Sequence, residues 1–275
     1  MSEDIGTVSR RTVVRAVGTT AALPFVGTAT ADEDDRRADR FRCPDATVHP
    51  ETRRCEGTEM EGCTGDHPAT EELQTSVAET IEQEYPTVGA LIDAGFKPYF
   101  DTVVGEEYAH WLSPEYIGDD AVLDPDRPES ILVDVNQWRP IGVMFVATRD
   151  GEPIEEPPAV YDDEQRCSPW HYHVGLPGRF AWWYYRQVYE DAYRSGELLF
   201  PCRTPCMMHV WTYPGDEAIY AHEKPPREEY GPPEDGAGFE TDAQPGDDEL
   251  DWDVLPDDVV PETKPRELFD RVTDR

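Results

Sequence analysis

Lysine is nearly missing from this chain. Only Lys97, Lys224 and Lys264 are present, and 24 Lys+Arg stand against 59 Asp+Glu, for a formal charge of −35. So large an acid excess repels phosphate backbones and anionic headgroups, which removes nucleic acid from the expected partners. Long apolar runs are also lacking. The stretch from Thr12 to Gly27 is shorter than the ~20 apolar residues a membrane span needs, and Pro24 and several glycines and threonines interrupt it. No integral span is expected in the mature chain. There is no P-loop, no Gly-x-Gly-x-x-Gly fingerprint, no Gly-x-Ser-x-Gly elbow and no internal repeat, so nucleotide chemistry and serine-nucleophile catalysis have no support. Ser113, Ser130 and Ser168 carry no local nucleophile signature. Paired acids abound, but in so acidic a chain they say nothing about glycoside hydrolysis.

Acidity spread along the whole sequence matches proteins that work in molar salt, as in haloarchaea. There the Debye length falls to about 3 Å and surface repulsion is screened. The N-terminus explains where such a protein works. Arg10 and Arg11 precede the modest apolar run, and Ala29-Thr30-Ala31 closes it before an acidic cluster. A basic start, a short apolar centre and a small-residue end make a secretion signal, and the twin arginine resembles a Tat signal. Residues 1–31 are therefore expected to be a Tat-type signal peptide, and the mature protein to be extracellular.

Six cysteines fit that address: Cys43, Cys55, Cys63, Cys167, Cys202 and Cys206 read as a disulfide set in an oxidising exterior. The favoured arrangement has two bridges involving the N-terminal trio and one involving Cys202 or Cys206. A rival use of the same residues is Cys202-x3-Cys206-x2-His209, with Cys167 or Met208 as a further donor, a spacing that suits zinc or copper.

After the signal, residues 32–69 are polar and poor in apolar side chains, so bridges rather than a core must order them. From Thr70, a possible cap, Leu73, Val77 and Ile81 repeat at i+4 and predict an amphipathic helix that Pro86 stops. A short helix in the segment from Thr87 then leads through Gly95 into a strand at Lys97 to Val104. Ile131 to Val135 and Ile141 to Thr148 flank Asn136 to Pro140 and predict a β-hairpin. Arg179 to Ser195 reads as a helix ending at Gly196, and Cys206 to Pro214 as a final strand. Strands without a regular β-α-β alternation favour an α+β fold on a mainly antiparallel sheet, confined to residues 70–213. Residues 214–275, rich in Pro, Gly and acid, are expected to be a mostly disordered tail, with Trp252 to Val260 and Leu268-Phe269 as two small apolar clusters able to dock.

Histidines carry the most specific chemistry. His171 and His173, on a strand, project to one face because side chains alternate. His209 lies in a second predicted strand and His110 follows a third, so these four imidazoles can converge on Zn, Cu, Fe or Mn, with Glu106, Glu107 or Asp134 as carboxylate ligands. His49, His67 and His222 sit in polar flanks. The competing reading makes every ring structural, hydrogen-bonded to backbone. Cupins share the His-x-His pattern, but their glutamate a few residues later has no counterpart here.

Trp170, Trp182, Trp183 and Trp211 belong to a dense aromatic group, either a helix-on-sheet core or a platform on which a flat ligand stacks. Trp182 and Trp183 stand about 100° apart on a helix, so one of them should face away from the core. Leu123-Asp124-Pro125, Arg127-Pro128-Glu129 and His209-Val210-Trp211, with the His110-Trp111 stretch before Ser113-Pro114, resemble an uncharacterised family of exported proteins over the middle half of the chain. That resemblance implies a shared fold and draws attention to His110 and His209. It supplies no catalytic roles, and the chain departs from it after Trp211. Two functions follow: a divalent-metal protein built on the four histidines, or a metal-free, disulfide-stapled extracellular binding or cell-surface protein.

Overall fold

The computed structural model describes residue 43 and residues 45–100, 107–189, 200–213 and 219–273. The expected signal peptide and Glu106 lie outside them. In chain order the main elements are β1 (Thr52–Arg54), α1 (Pro68–Glu84), α2 (Val88–Asp93), β2 (Lys97–Tyr99), β3 (Tyr108–Leu112), α3 (Pro114–Ile117), β4 (Ser130–Asp134), β5 (Arg139–Val146), β6 (His171–His173), α4 (Leu176–Val188), β7 (Met207–Trp211) and α5 (Pro265–Thr273). Two small ribbons lie between β5 and β6, Thr148–Arg149 with Glu152–Pro153 and Tyr161–Asp162 with Arg166–Cys167. The seven main strands form one antiparallel sheet in the order β1-β6-β7-β5-β4-β3-β2, an α+β fold.

Both faces of the sheet are covered, which is why β4 and β7 read as continuous buried runs rather than alternating ones. One face receives α1 through Leu73, Val77 and Ile81, which pack with Trp111, Ile131, Val133, Val143, Phe145, Met208 and Val210. The other receives α4 through Phe180, Trp183, Tyr184 and Tyr185. Helix α1 begins one turn earlier than Thr70 suggested. The His67 ring caps it, Nδ1 accepting from the Ala69 N–H at 3.2 Å, and Pro68 takes the first-turn position that needs no donor. Thr70 is buried instead and meets the Tyr220 hydroxyl at 3.0 Å.

The C-terminal segment differs from the expected disordered tail. Among its described residues, Tyr230, Leu250, Trp252, Leu255 and Val259 are buried. Each apolar residue stands almost alone in an acidic stretch, so composition understates what the segment can cover. Main-chain bonds hold it along the β4–β5 turn: Glu234 N–H to Gln137 O, Gly246 N–H to Asn136 O and Leu250 N–H to Val135 O. Trp252 sets its ring edge-on to Phe100 at 4.9 Å, and Gly238 (φ +80°) meets the start of α2 so closely that a Cβ on Gly89 would stand 2.1 Å from its carbonyl oxygen. The expected clusters do dock: Trp252 to Val259 in the first core, and Phe269 on Phe180 at 5.0 Å.

All six cysteines are bridged, Cys43–Cys202, Cys55–Cys206 and Cys63–Cys167. Each member of the N-terminal trio reaches into the second half of the chain, so all three bridges involve the trio, not two. The polar segment before α1, with little apolar surface of its own, is thereby tied to the sheet. The proposed cysteine–histidine metal motif is excluded, because its sulfurs are spent in disulfides and Met208 faces the opposite core from His209. No described helix is long and apolar enough to cross a membrane.

Candidate metal centre

Strand register converts the scattered histidines into one group. His171 pairs with Met207, and His209 stands two residues further along β7, hence on the same face. His209 pairs with Met144, Met144 with Ser130 and Ser130 with Leu112, two residues from His110. His110, His171, His173 and His209 therefore all project from one face of a single sheet, from the three strands β3, β6 and β7. The fifth member, His222, comes from the C-terminal segment. His171, His173 and His222 each offer a nitrogen within 4.8 Å of the others. The neighbouring rings of His209 and His110 lie 5.8 Å apart, and His209 is 5.7 Å from His171 and 5.3 Å from His222.

Hydrogen bonds fix how these rings present themselves. The His222 carbonyl accepts from the Tyr108 hydroxyl and meets His209 Nδ1, each at 3.2 Å. A carbonyl can only accept, so His209 Nδ1 carries its proton and Nε2 keeps a lone pair. His171 is bonded to the Pro169 backbone, and its buried Nε2 has no hydrogen-bond partner among the described residues. A ring held from behind by backbone with its other nitrogen unengaged is the arrangement of a metal-ligating imidazole. Burial lowers all five, reinforced by neighbouring imidazoles in all but His222: His110 and His171 to about 3, His173 and His209 well below the ordinary value, and His222 in the same direction against the pull of Glu223. His110 has part of its surface on a cavity, yet desolvation is the leading cause of its shift. Neutral rings are the form that binds metals.

Two features place the late-arriving His222. Trp211 donates its main-chain N–H to Ile219 O (3.0 Å) and its indole N–H to Ala221 O (2.9 Å). Two residues beyond His222, Lys224 Nζ contacts Asp134 Oδ2 (2.8 Å), Glu107 Oε2 (3.0 Å) and the Tyr230 hydroxyl (3.0 Å), and that hydroxyl donates to Asp134 Oδ2 at 2.6 Å. Asp134 Oδ1 accepts from the N–H groups of Asn136 and Gln137. Burial alone would raise the Asp134 carboxyl, but the bonds from Lys224 and Tyr230 outweigh it and hold the group below its usual range. Asp134 and Glu107, expected as metal ligands, thus clamp the segment that carries His222.

Beside the histidines lies a cavity of about 360 Å³. His110, His173 and His222 line its polar end, and Leu112, Met144, Met207 and Trp182 contribute to its apolar wall. Of the four tryptophans expected to stack on a ligand, Trp182 alone lines the cavity. Trp170, Trp183 and Trp211 are core residues, and the indoles of Trp170 and Trp211 donate to the Pro158 and Ala221 carbonyls. Trp182 and Trp183 do diverge as helical spacing requires.

Gly178 on α4 controls the approach to the site. A Cβ there would stand 2.6 Å from His173 Cβ, 2.8 Å from Cγ and 3.1 Å from Nδ1. Gly178→Ala is expected to push the His173 ring aside and weaken metal binding about 10–100-fold, the usual effect of disturbing a ligand's support. Competition titration against a chromophoric chelator reads this, and unchanged affinity would show that His173 is not a ligand.

No family model, curated protein or solved structure matches this chain.

Proposed function

We propose that this is an exported metalloprotein in which His171, His173 and His222 hold one divalent ion, with His110 and His209 beside it. The observation that carries the reading is the convergence of three neutral imidazole nitrogens within 4.8 Å, one of them the buried, unpartnered His171 Nε2. Three nitrogens around a zinc at ~2.0–2.1 Å stand about 3.4 Å apart, so small side-chain rotations close the site. A donor set of imidazoles without a carboxylate suits Zn, Cu or Fe better than Mn. Three protein ligands would leave a coordination position open, the feature that separates catalytic from structural sites, and two of the three, His173 and His222, also line the cavity. Three disulfides and the Tat-like N-terminus support an oxidising, extracellular setting, and the acid excess supports high salt.

Elemental analysis of protein folded in high salt, before and after exposure to Zn, Cu and Fe, tests this. Near-stoichiometric metal is expected in the wild type and none in His171→Ala/His173→Ala or His222→Ala. An intact wild type that holds no metal under any of these conditions would leave the metal-free, disulfide-stapled binding protein as the function.

A further inference from the structure

The cavity beside the triad has a chemistry of its own. Its volume of about 360 Å³ lies at the lower end of small-molecule sites, room for one ring and its substituents. Among the described residues, no lysine or arginine lines it. In the metal-free protein an anionic ligand would lose its hydration there without a compensating charge. The two lining carboxylates do not call for a cation, since Glu51 is paired with Arg53 at 2.7 Å and Glu223 is exposed to solvent. Neutral ligands remain.

The walls narrow the choice further. Trp182 and Tyr185 lie with ring centroids 5.7 Å apart, and Met144 and Met207 supply polarizable sulfur, a lining that favours an aromatic face over a saturated one. Arg186 sits over the Trp182 ring at 5.5 Å and holds that indole in place. At the other end the imidazoles of His110, His173 and His222 present lone pairs, which call for a hydrogen-bond donor or a metal-bound oxygen.

We infer that the cavity binds a neutral, single-ring hydroxylated aromatic of the phenol class, its ring against Trp182 and the methionines and its hydroxyl toward His173 and His222. The hydroxyl's place at the metal rests on the reading above; the fit of the ring does not. Trp182→Ala removes the largest of the three aromatic side chains, Trp182, Tyr99 and Tyr185, that line the cavity, whereas Trp182→Phe restores a face.

Calorimetric titration with phenol, benzoate and cyclohexanol, on metal-free and metal-loaded full-length protein, tests the inference. Saturable phenol binding is expected, with benzoate and cyclohexanol weaker by about tenfold or more. Trp182→Ala is expected to weaken phenol about tenfold with metal content unchanged, and Trp182→Phe to recover most of it. Equal binding of benzoate by the metal-free form, insensitivity to Trp182→Ala, or no saturable phenol binding in either form overturns the inference. Phenol binding in a protein that takes up no metal would overturn the metal reading alone, and metal uptake without phenol binding would overturn this one alone.

Discussion

Asp134→Ala is expected to destabilise the protein by about 3–5 kcal/mol, the cost of breaking a buried ion pair by removing one partner. Asp134 is fully buried and accepts from Lys224, Tyr230 and two turn N–H groups, so truncation strands several donors at once. For a domain of this size the melting temperature should fall on the order of 10 °C. The same change should weaken metal binding about 10–100-fold, because Lys224 loses its anchor two residues from His222. Thermal melts and metal titrations read the two effects separately. A large stability loss with unchanged metal affinity would show that the clamp holds the chain but does not place His222. Lys224→Met is the companion change, expected to shift both readouts in the same direction by leaving Asp134 charged and unpaired.

Acid should unfold the metal-free protein early. The five clustered histidines titrate below their ordinary value of 6.5 because burial, joined in all but His222 by repulsion from neighbouring imidazoles, disfavours the charged rings; the Pro169 backbone bond to His171 and Glu223 beside His222 act in the opposite sense. Above pH 6.5 these rings are neutral in folded and unfolded chains alike, and stability is fully present. As pH falls from 6.5 toward about 3, the unfolded chain takes up protons that folded His110 and His171 refuse. Each of these two then costs at most about 1.4 kcal/mol by pH 5.5, with further loss below that until the folded rings titrate. Asp134, also depressed, adds a loss of the same sign at lower pH. Melting temperatures should drop beneath pH 6.5, with the buried Glu129 carboxyl, raised to about 8 by desolvation, offsetting part of the loss, and bound metal should move the drop to lower pH because protons and metal compete for the same nitrogens. A level profile down to pH 4.5 would mean that the rings are solvated in the folded state.

Much of the sheet was legible from residue pattern. Ile131 to Val135 and Ile141 to Thr148 are β-branched and apolar around a turn, and they form β4 and β5 with ends shifted by a few residues. His171-x-His173 lies on β6 with both rings on one face, as two-residue periodicity demands. The tail was misjudged for a specific reason. Tyr230, Leu250, Trp252, Leu255 and Val259 are spaced irregularly, with no helical or strand period, so nothing local announces that they share a core. His222 shares that fate: it sits in an irregular Tyr-Ala-His-Glu-Lys segment whose position depends on Trp211 and on Tyr108 and Asp134, the last two distant in sequence.

By itself the sequence determined the α+β class, the strands that carry His171, His173 and His209 and the presence of six cysteines, because alternation, β-branching and cysteine counting are local properties of the chain. Only the tertiary structure decided which imidazoles meet, which cysteines bond and which tryptophan faces a cavity. Those are set by strand register and by long-range closure of the C-terminal segment over the sheet, where side chains more than a hundred residues apart, His110 and His222 among them, line one cavity.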